Sequence, residues 1–372
     1  MKCPVCKNEK IYPVFRFDKA PIYGQRYYQT RKKALQAETS PVDFVQCEVC
    51  TFLFNYSYQQ LSYQVYIETS RSASPRFNQY LNEVSNTLCQ QMSEEVSVIV
   101  EIGAGDCEFA KVFQQLIPNS NYYAYDPGWS SINVQNGITK YPTYYDYGVN
   151  KDPDLVIARH VLEHQSDVCS FMSNILHEEP KYCFIEIPCS DFVLNNNYHY
   201  FSYDHCSYFN LQSLRLLLEK FQYELLFSDD VFNNEYLITL WKNSSVDQNF
   251  NHSELQAFRT SSNRKIFSFS DWSTNIMEKF NEDCIIWGAG GKGVILLNML
   301  EIDYNTMPFI AELNPKIWGK YIPCTANEII SPKQLKTLKP KQILVLNPLY
   351  REEICNQADA LGLNCEVISI FN

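Results

Sequence analysis

A short segment near the middle of the chain concentrates side chains that can move protons. Residues 197–210 read "NYHYFSYDHCSYFN", with two histidines, four tyrosines, two phenylalanines and an aspartate. Histidine titrates near neutral pH, and Asp204 stands directly before His205, so the surroundings can tune the protonation of this pair. Tyr203 adds a phenol, which joins an apolar body to a hydrogen-bonding tip. The composition predicts a proton-transfer pocket; the alternative is an aromatic loop that covers the edge of the core.

A second polar cluster precedes this segment, in "DLVIARHVLEHQSD". Its apolar run predicts a buried strand, and the strand ends in a polar group: Arg159, His160, Glu163 and His164. Ligands bind at the carboxyl ends of strands in open α/β sheets, which favours a binding role over a capped, partly exposed turn. A later strand, in "KYCFIEIPCS", ends near Pro188 and brings the aromatic segment over the same edge.

A glycine-containing turn in "VIVEIGAGDCEFAKVF" predicts a cofactor site. Such a turn brings backbone N–H groups against a ligand, and Asp126, 21 residues after Gly105, is placed to accept ribose hydroxyls. The pattern fits NAD or S-adenosylmethionine, and Glu101 at its start favours the second; a plain tight turn is the alternative. The predicted cofactor contacts are Glu101, Gly103, Ala104, Gly105, Asp126, Pro127, Arg159 and His160.

A second glycine turn, in "IIWGAGGKGVILLNML", has the G-x-G-x-x-G spacing of a dinucleotide site. Taken alone it predicts an NAD-dependent oxidoreductase. A helix N-terminus also binds a diphosphate on any nucleotide, and Lys292 adds positive charge, so a substrate diphosphate is the second interpretation and a structural remnant the third. The predicted substrate contacts are Gly288, Gly290, Lys292, Gly293, Glu312, Asn347 and Tyr350.

Two C-x-x-C pairs, Cys3 with Cys6 and Cys47 with Cys50, have the spacing of a metal site. Each pair can direct two thiolates at one ion, and together they predict a tetrahedral structural zinc site with no open position. Free thiols or a redox pair are the alternatives, but a redox motif normally lies in a βαβ setting, which the sequence does not provide here.

Composition limits the class of protein. The chain has 372 residues, enough for two or three domains, and a net charge of −11, which argues against nucleic-acid and anionic-membrane partners. The start, "MKCPVCKNEK", lacks the apolar region of a signal peptide, and no apolar run approaches about 18 residues. Ten scattered single cysteines beside the paired ones fit a reducing cytoplasm.

The hydrophobic pattern divides the chain into three parts. Residues 1–60 contain the two cysteine pairs and otherwise show an irregular pattern. Residues 75–242 alternate strand-like and helix-like segments, which predicts a parallel, doubly wound sheet. A polar stretch, "WKNSSVDQNFNHSELQ", predicts a linker. Residues 255–372 then repeat the strand, glycine turn and helix arrangement as a smaller α/β unit.

Together, "VEIGAG", "YDP" and "ARHVLEH" resemble the class I S-adenosylmethionine-dependent methyltransferases. The order of the three parts resembles the three-domain sugar C-methyltransferases, which act on nucleotide-linked deoxysugars. The resemblance implies a zinc-binding module, a doubly wound methyltransferase sheet and a C-terminal Rossmann-like lobe that holds the nucleotide-sugar and does not use NAD. The family often has Tyr-Pro-Glu-His where this chain has residues 202–205, Ser-Tyr-Asp-His.

The resemblance also implies catalytic roles. His205 acts as the base next to a ketone, Asp204 or Tyr203 orients it, and His164 or Tyr66 donates a hydrogen bond to the developing enolate oxygen. Tyr63 is an alternative to Tyr66, and both tyrosines packing between domains is a third interpretation. The expected function is C-methylation of a keto sugar; O- or N-methylation of a related molecule and a non-catalytic zinc-containing binding protein are the alternatives. The sequence gives no indication of the oligomeric state.

Overall fold

The computed structural model describes residues 2–61, 73–148, 152–244 and 269–371, and within them the strands form three sheets. Tyr63, Tyr66 and most of the predicted linker lie outside the described residues. None of the helices in the described ranges combines the length and the apolar character needed to cross a bilayer. The class I methyltransferase-like α/β fold expected from the sequence is confirmed, with a mixed sheet in place of the predicted parallel one.

The first sheet has four antiparallel strands in the order β1-β2-β3-β10: β1 Ile11–Pro21, β2 Thr39–Cys47, β3 Leu53–Asn55 and β10 Ser207–Tyr208. A short helix, α1 Arg31–Leu35, joins β1 to β2. The prediction that this region is irregular is therefore wrong. Pairing between β1 and β2 joins residues far apart in sequence, and local pattern does not reveal it. We call this sheet with its cysteine loops the first module; β10 comes from the aromatic segment.

The central sheet has eight strands in the order β11-β12-β9-β8-β4-β5-β7-β6. Its elements are α2 Pro75–Gln91, β4 Val98–Ile102, α3 Glu108–Leu116, β5 Asn121–Tyr125, β6 Asn133–Gln135, β7 Ile138–Tyr141, β8 Leu155–Arg159, α4 Val168–Ile175, β9 Tyr182–Pro188, α5 Ser190–Leu194, α6 Leu211–Leu218, β11 Tyr223–Val231 and β12 Tyr236–Asn243. Strands β4, β5, β7, β8 and β9 run parallel, whereas β12 is antiparallel to β9 and β11. Since chain order reverses between β4 and β8, ligands are expected at the carboxyl ends of these strands.

The third sheet is entirely parallel, in the order β15-β14-β13-β16-β17. Its elements are α7 Phe269–Met277, β13 Cys284–Trp287, α8 Gly291–Met299, β14 Phe309–Ala311, β15 Glu328–Ile330, α9 Leu335–Leu338, β16 Gln342–Val345, α10 Arg351–Ala360 and β17 Glu366–Ser369. Single 3-10 turns occur at Leu162–His164, Tyr198–Tyr200, Glu219–Phe221, Pro315–Ile317, Pro332–Gln334 and Pro348–Tyr350. The predicted second α/β unit is present.

The first module also contacts the C-terminal lobe directly. The backbones of Tyr28 and Tyr321 exchange hydrogen bonds of 3.0 and 2.8 Å, and the Tyr27 hydroxyl donates to the carbonyl oxygen of Ala289 at 2.7 Å. This contact places the loop after β1 across the second glycine turn, so the three parts of the chain surround a common space.

Packing at the second glycine turn gives a test of the fold. A Cβ added at Gly293 would lie 2.3 Å from the carbonyl oxygen of Gly288, whereas one at Gly290 meets nothing within 4 Å. We expect Gly293→Ala to lower the free energy of unfolding by about 1–3 kcal/mol because backbone must move. The matched Gly290→Ala should change it by less than about 0.5 kcal/mol. Calorimetric unfolding of the full chain measures both, and equal losses would contradict the close packing.

Candidate active site

A cavity of about 750 Å³ lies between the three parts of the chain. All residues predicted to contact the cofactor and all those predicted to contact the substrate line it, as do Asp204, His205 and His164. Gly24, Gln25 and Tyr27 add a wall from the first module. The structure therefore gathers side chains from three distant stretches of sequence around one space.

The first glycine turn packs tightly against Val161, in the segment that follows β8. Gly103 has a φ of 68°, and a Cβ there would lie 2.4 Å from Cγ2 of Val161. Asp126 stiffens the turn, because its carboxylate accepts hydrogen bonds from the backbone N–H groups of Gly105 at 2.9 Å and Gly128 at 2.8 Å. Each carboxylate oxygen keeps a second lone pair for a ligand on the cavity side.

Glu101 lies in β4, directly before this glycine turn. Its side chain is almost fully buried and accepts a 2.8 Å hydrogen bond from the hydroxyl of Tyr122. Burial raises the pKa of Glu101 to about 7, with Arg159 opposing the shift. The carboxylate predicted to contact a cofactor thus already has a protein partner, and a large part of its surroundings is the core.

Arg159 and His160 both turn toward one buried carboxylate, that of Glu186 in β9. Arg159 Nε donates to Glu186 Oε2 at 2.6 Å, and His160 Nε2 lies 2.9 Å from Oε1, which also accepts from the hydroxyl of Tyr80 at 2.9 Å. Burial raises the pKa of Glu186, but Arg159 and His160 outweigh it and hold that pKa well below the ordinary value. The sequence prediction missed Glu186; its signal was a glutamate inside an otherwise apolar strand.

The two histidines of the predicted catalytic set meet at the cavity wall. The rings of His164 and His205 have centroids 4.8 Å apart and lie nearly perpendicular. His164 Nδ1 is 2.8 Å from the carbonyl oxygen of Asp204, which can only accept, so Nδ1 carries a hydrogen. Burial and the neighbouring His164 lower the pKa of His205 to about 4, while Asp204 and Glu163 oppose the shift. At neutral pH His205 is therefore an uncharged imidazole.

Tyr203 is not where the sequence analysis placed it, and one contact expected of Asp204 is not made. Tyr203 does not line the cavity; its hydroxyl accepts from the backbone N–H of Gln59 at 3.1 Å, and its ring packs 5.3 Å from that of Tyr58. The Asp204 carboxylate makes no hydrogen bond to His205 Nδ1, which has no partner among the described residues, but its negative charge still raises the pKa of His205. Phe201 and Tyr208 also pack in the core of the first module, so much of the aromatic segment has a structural role.

The second glycine turn is already engaged by protein groups. Lys292 forms an ion pair with the buried Glu235, and Asn347 donates to the same carboxylate at 2.7 Å. Glu312 accepts from the backbone N–H of Ala289 at 2.8 Å. The positive charge predicted for a diphosphate is therefore paired with a glutamate that the sequence analysis missed, 57 residues away.

The four paired cysteines come together as predicted. Sγ of Cys3 is 3.4 Å from that of Cys50, Sγ of Cys6 is 3.5 Å from that of Cys47, and all four sulfur atoms lie within 4.8 Å of one another. Four sulfur donors about 2.3 Å from one ion fit this spacing, so the set has the geometry of a tetrahedral metal site.

Comparison with known families gives two matches. Residues 74–227 match the model described as a methyltransferase domain, and residues 260–365 match that of a C-methyltransferase C-terminal domain. No curated protein sequence matches the chain.

Solved structures resemble less than half of the chain. The plantazolicin methyltransferase BpumL, solved with a monoazolic desmethylPZN analog and SAH, has 14% identity over 46% of this chain and 86% of its own, with a TM-score of 0.36. A chain in the complex of the Haloferax volcanii Trm112 methyltransferase activator with the putative methyltransferase has 9% identity over 46% of this chain and 95% of its own, with a TM-score of 0.37. Human N-acetylserotonin methyltransferase in complex with SAM has 16% identity over 46% of this chain and 57% of its own, with a TM-score of 0.35.

The raised pKa of Glu101 makes stability depend on pH. The folded chain holds this proton up to about pH 7 and the unfolded chain releases it near 4.5, so stability falls as pH rises between these values. Glu101→Gln should remove this fall and raise the free energy of unfolding at pH 8 by about 1–3 kcal/mol, with little effect below pH 4.5. Urea unfolding across pH measures it, with the exposed Glu366→Gln as control; an unchanged pH slope in Glu101→Gln would contradict the assignment.

Proposed function

We propose that this S-adenosylmethionine-dependent methyltransferase methylates a carbon atom of a nucleotide-linked keto or deoxy sugar, after removal of a proton next to the ketone. The observation that carries the proposal is the meeting of His164 and His205 at the wall of the cavity that also contains the Gly103 turn. The match to a C-methyltransferase C-terminal domain supports carbon as the acceptor.

The residues around the first glycine turn suit S-adenosylmethionine chemically. Nothing lies within 4 Å of where a Cβ of Gly105 would sit, so the backbone there is open to a ligand. Asp126, at the end of β5, retains acceptor capacity for the two ribose hydroxyls. The cofactor, when bound, supplies a methyl group activated by its sulfonium.

His205 is suited to act as the base. It is uncharged at neutral pH and can take a proton from the carbon beside a ketone; the electron pair of that C–H bond then forms the enolate. His164, whose Nδ1 is fixed by the backbone carbonyl of Asp204, is the candidate hydrogen-bond donor to the enolate oxygen. Tyr66 stays a candidate second donor. We expect the lobe around Gly288 to hold the nucleotide through backbone N–H groups, since Lys292 and the Asn347 amide are both engaged by Glu235.

Proton exchange tests the acceptor atom. With a nucleotide-linked 4-keto-6-deoxysugar in D₂O and no cofactor, the protein should exchange the hydrogen next to the ketone. His205→Asn should slow exchange and turnover by at least about a hundredfold, because the base is removed. Binding of S-adenosylmethionine, measured by calorimetry, should be unchanged in this variant. Methyl transfer without exchange would indicate an oxygen or nitrogen acceptor, and no cofactor binding in the wild type would refute the proposal.

We also propose that the cysteine cluster holds a structural zinc ion that positions the catalytic segment. The sheet built on this cluster includes β10, which begins two residues after His205. Elemental analysis should give one zinc per chain. Cys47→Ser should lose the zinc, lower the melting temperature and reduce turnover at least tenfold, whereas Cys365→Ser should change none of these. Full turnover in zinc-free protein would refute the positioning role.

A further inference from the structure

A buried carboxylate beside the histidine pair has no part in the mechanism above. Glu163 lies in the 3-10 turn after β8, with its side chain only 1% exposed, and neither carboxylate oxygen has a hydrogen-bond partner among the described residues. His160 Nδ1 is 3.5 Å from its Oε1. One of its oxygens lies within 4.8 Å of a ring nitrogen of His164 and of one of His205.

A carboxylate enclosed in this way is stable only if a positive charge compensates it. Removing an ion from water costs several kcal/mol unless it is paired or binds a metal. Burial raises the pKa of Glu163, but the nearby imidazoles of His160, His164 and His205 outweigh it and leave the pKa below the ordinary value. Glu163 is therefore ionised, and the groups able to compensate it are imidazoles.

We propose that Glu163 is a positioning residue for the proton transfer. Its fixed negative charge stabilises the His164–His205 pair while the pair holds the proton taken from the substrate. The proposal rests on the proposed function. As the C–H bond breaks, its proton goes to His205 and its electron pair to the enolate, so His205 becomes an imidazolium in a buried site. Without Glu163, that ion would face a second imidazole with the charge of Asp204 alone to compensate it.

Two carboxylates act on the His205 ring, those of Asp204 and Glu163, and among the described residues Glu163 is the one grouped within 4.8 Å of ring nitrogens of both histidines. The groups that act on its ring are His160, Glu163 and His164 on the strand-end turn and Asp204 on its own segment, with the phenol ring of Tyr208 6.0 Å away. Asp204 is held in place through its backbone carbonyl by His164. Glu186, the other buried carboxylate nearby, is already paired with Arg159 and His160.

The test compares variants that keep or remove the charge. Glu163→Gln should slow exchange of the substrate hydrogen and lower kcat by about ten- to a hundredfold. The KM and the affinity for S-adenosylmethionine should stay constant, and the acidic limb of the exchange-rate profile should move to lower pH, since losing a negative charge lowers the imidazole pKa. Glu163→Asp, which keeps the charge, should recover part of the rate. Wild-type exchange rates in Glu163→Gln would overturn the proposal.

Asp154→Asn is the matched control. Asp154 stands just before the opposite end of β8, where its carboxylate accepts from the backbone of Ser97 and Val98 and pairs with Lys181. This variant should leave the rate and its pH profile unchanged. An equal loss in Asp154→Asn would assign the effect of Glu163→Gln to folding and overturn the proposal.

Two further measurements do not depend on the substrate. In the ligand-free protein, imidazole NMR titration should show a lower pKa for His205 in Glu163→Gln than in the wild type; identical values would overturn the proposal. Zinc analysis should give one equivalent in both proteins. A second equivalent in the wild type that Glu163→Gln loses would mean that a metal, held by Glu163, His164 and His205, compensates the carboxylate, and the proposal would fail.

Discussion

The position of His205 depends on one non-local contact, the seating of the aromatic segment on the first sheet. β10 pairs with β3, and the backbone N–H of Asn55 donates to the carbonyl oxygen of Cys206 at 2.8 Å. The rings of Phe44 and Tyr208 pack 5.6 Å apart behind this strand. His205 faces the sheet edge because its neighbours in sequence are fixed to another module, so the cysteine cluster, the first sheet and the histidine pair form a continuous structural unit.

Buried carboxylates set the electrostatics of the cavity. Glu101, Glu163, Glu186 and Glu235 are all nearly inaccessible to solvent and lie at or behind its wall. Glu186 takes the charge of Arg159, and Glu235 takes that of Lys292, so the two cations best placed for a ligand phosphate are already paired. Under the proposed function, a nucleotide in this cavity would therefore be held by backbone N–H groups more than by these two cations.

Sequence patterns were sufficient for elements whose signal is local. The buried strands, the two glycine turns and the paired cysteines follow from short apolar runs and fixed spacings, and they are present. The side-chain pairs that form ion pairs were not predictable, because their members are distant in sequence. Arg159 and Glu186 are 27 residues apart, and Lys292 and Glu235 are 57 residues apart. The same reason explains Tyr203, whose composition suits a pocket but whose hydroxyl bonds a residue 144 positions earlier.

The two glycine turns share one local hydrogen bond but differ in their surroundings. In each, an acid from the end of the next strand accepts a hydrogen bond from the turn: Asp126 from Gly105 at 2.9 Å, and Glu312 from Ala289 at 2.8 Å. The carbonyl oxygen of Ala289 also accepts from Tyr27 of the first module, and a Cβ added at Gly291 would sit 3.4 Å from the side chain of Gln25. A Cβ added at Gly105, by contrast, would meet no atom within 4 Å. A Cβ added at Gly290 meets no atom within this distance either, so both turns keep open backbone, and the second is in addition shaped by contact with the first module.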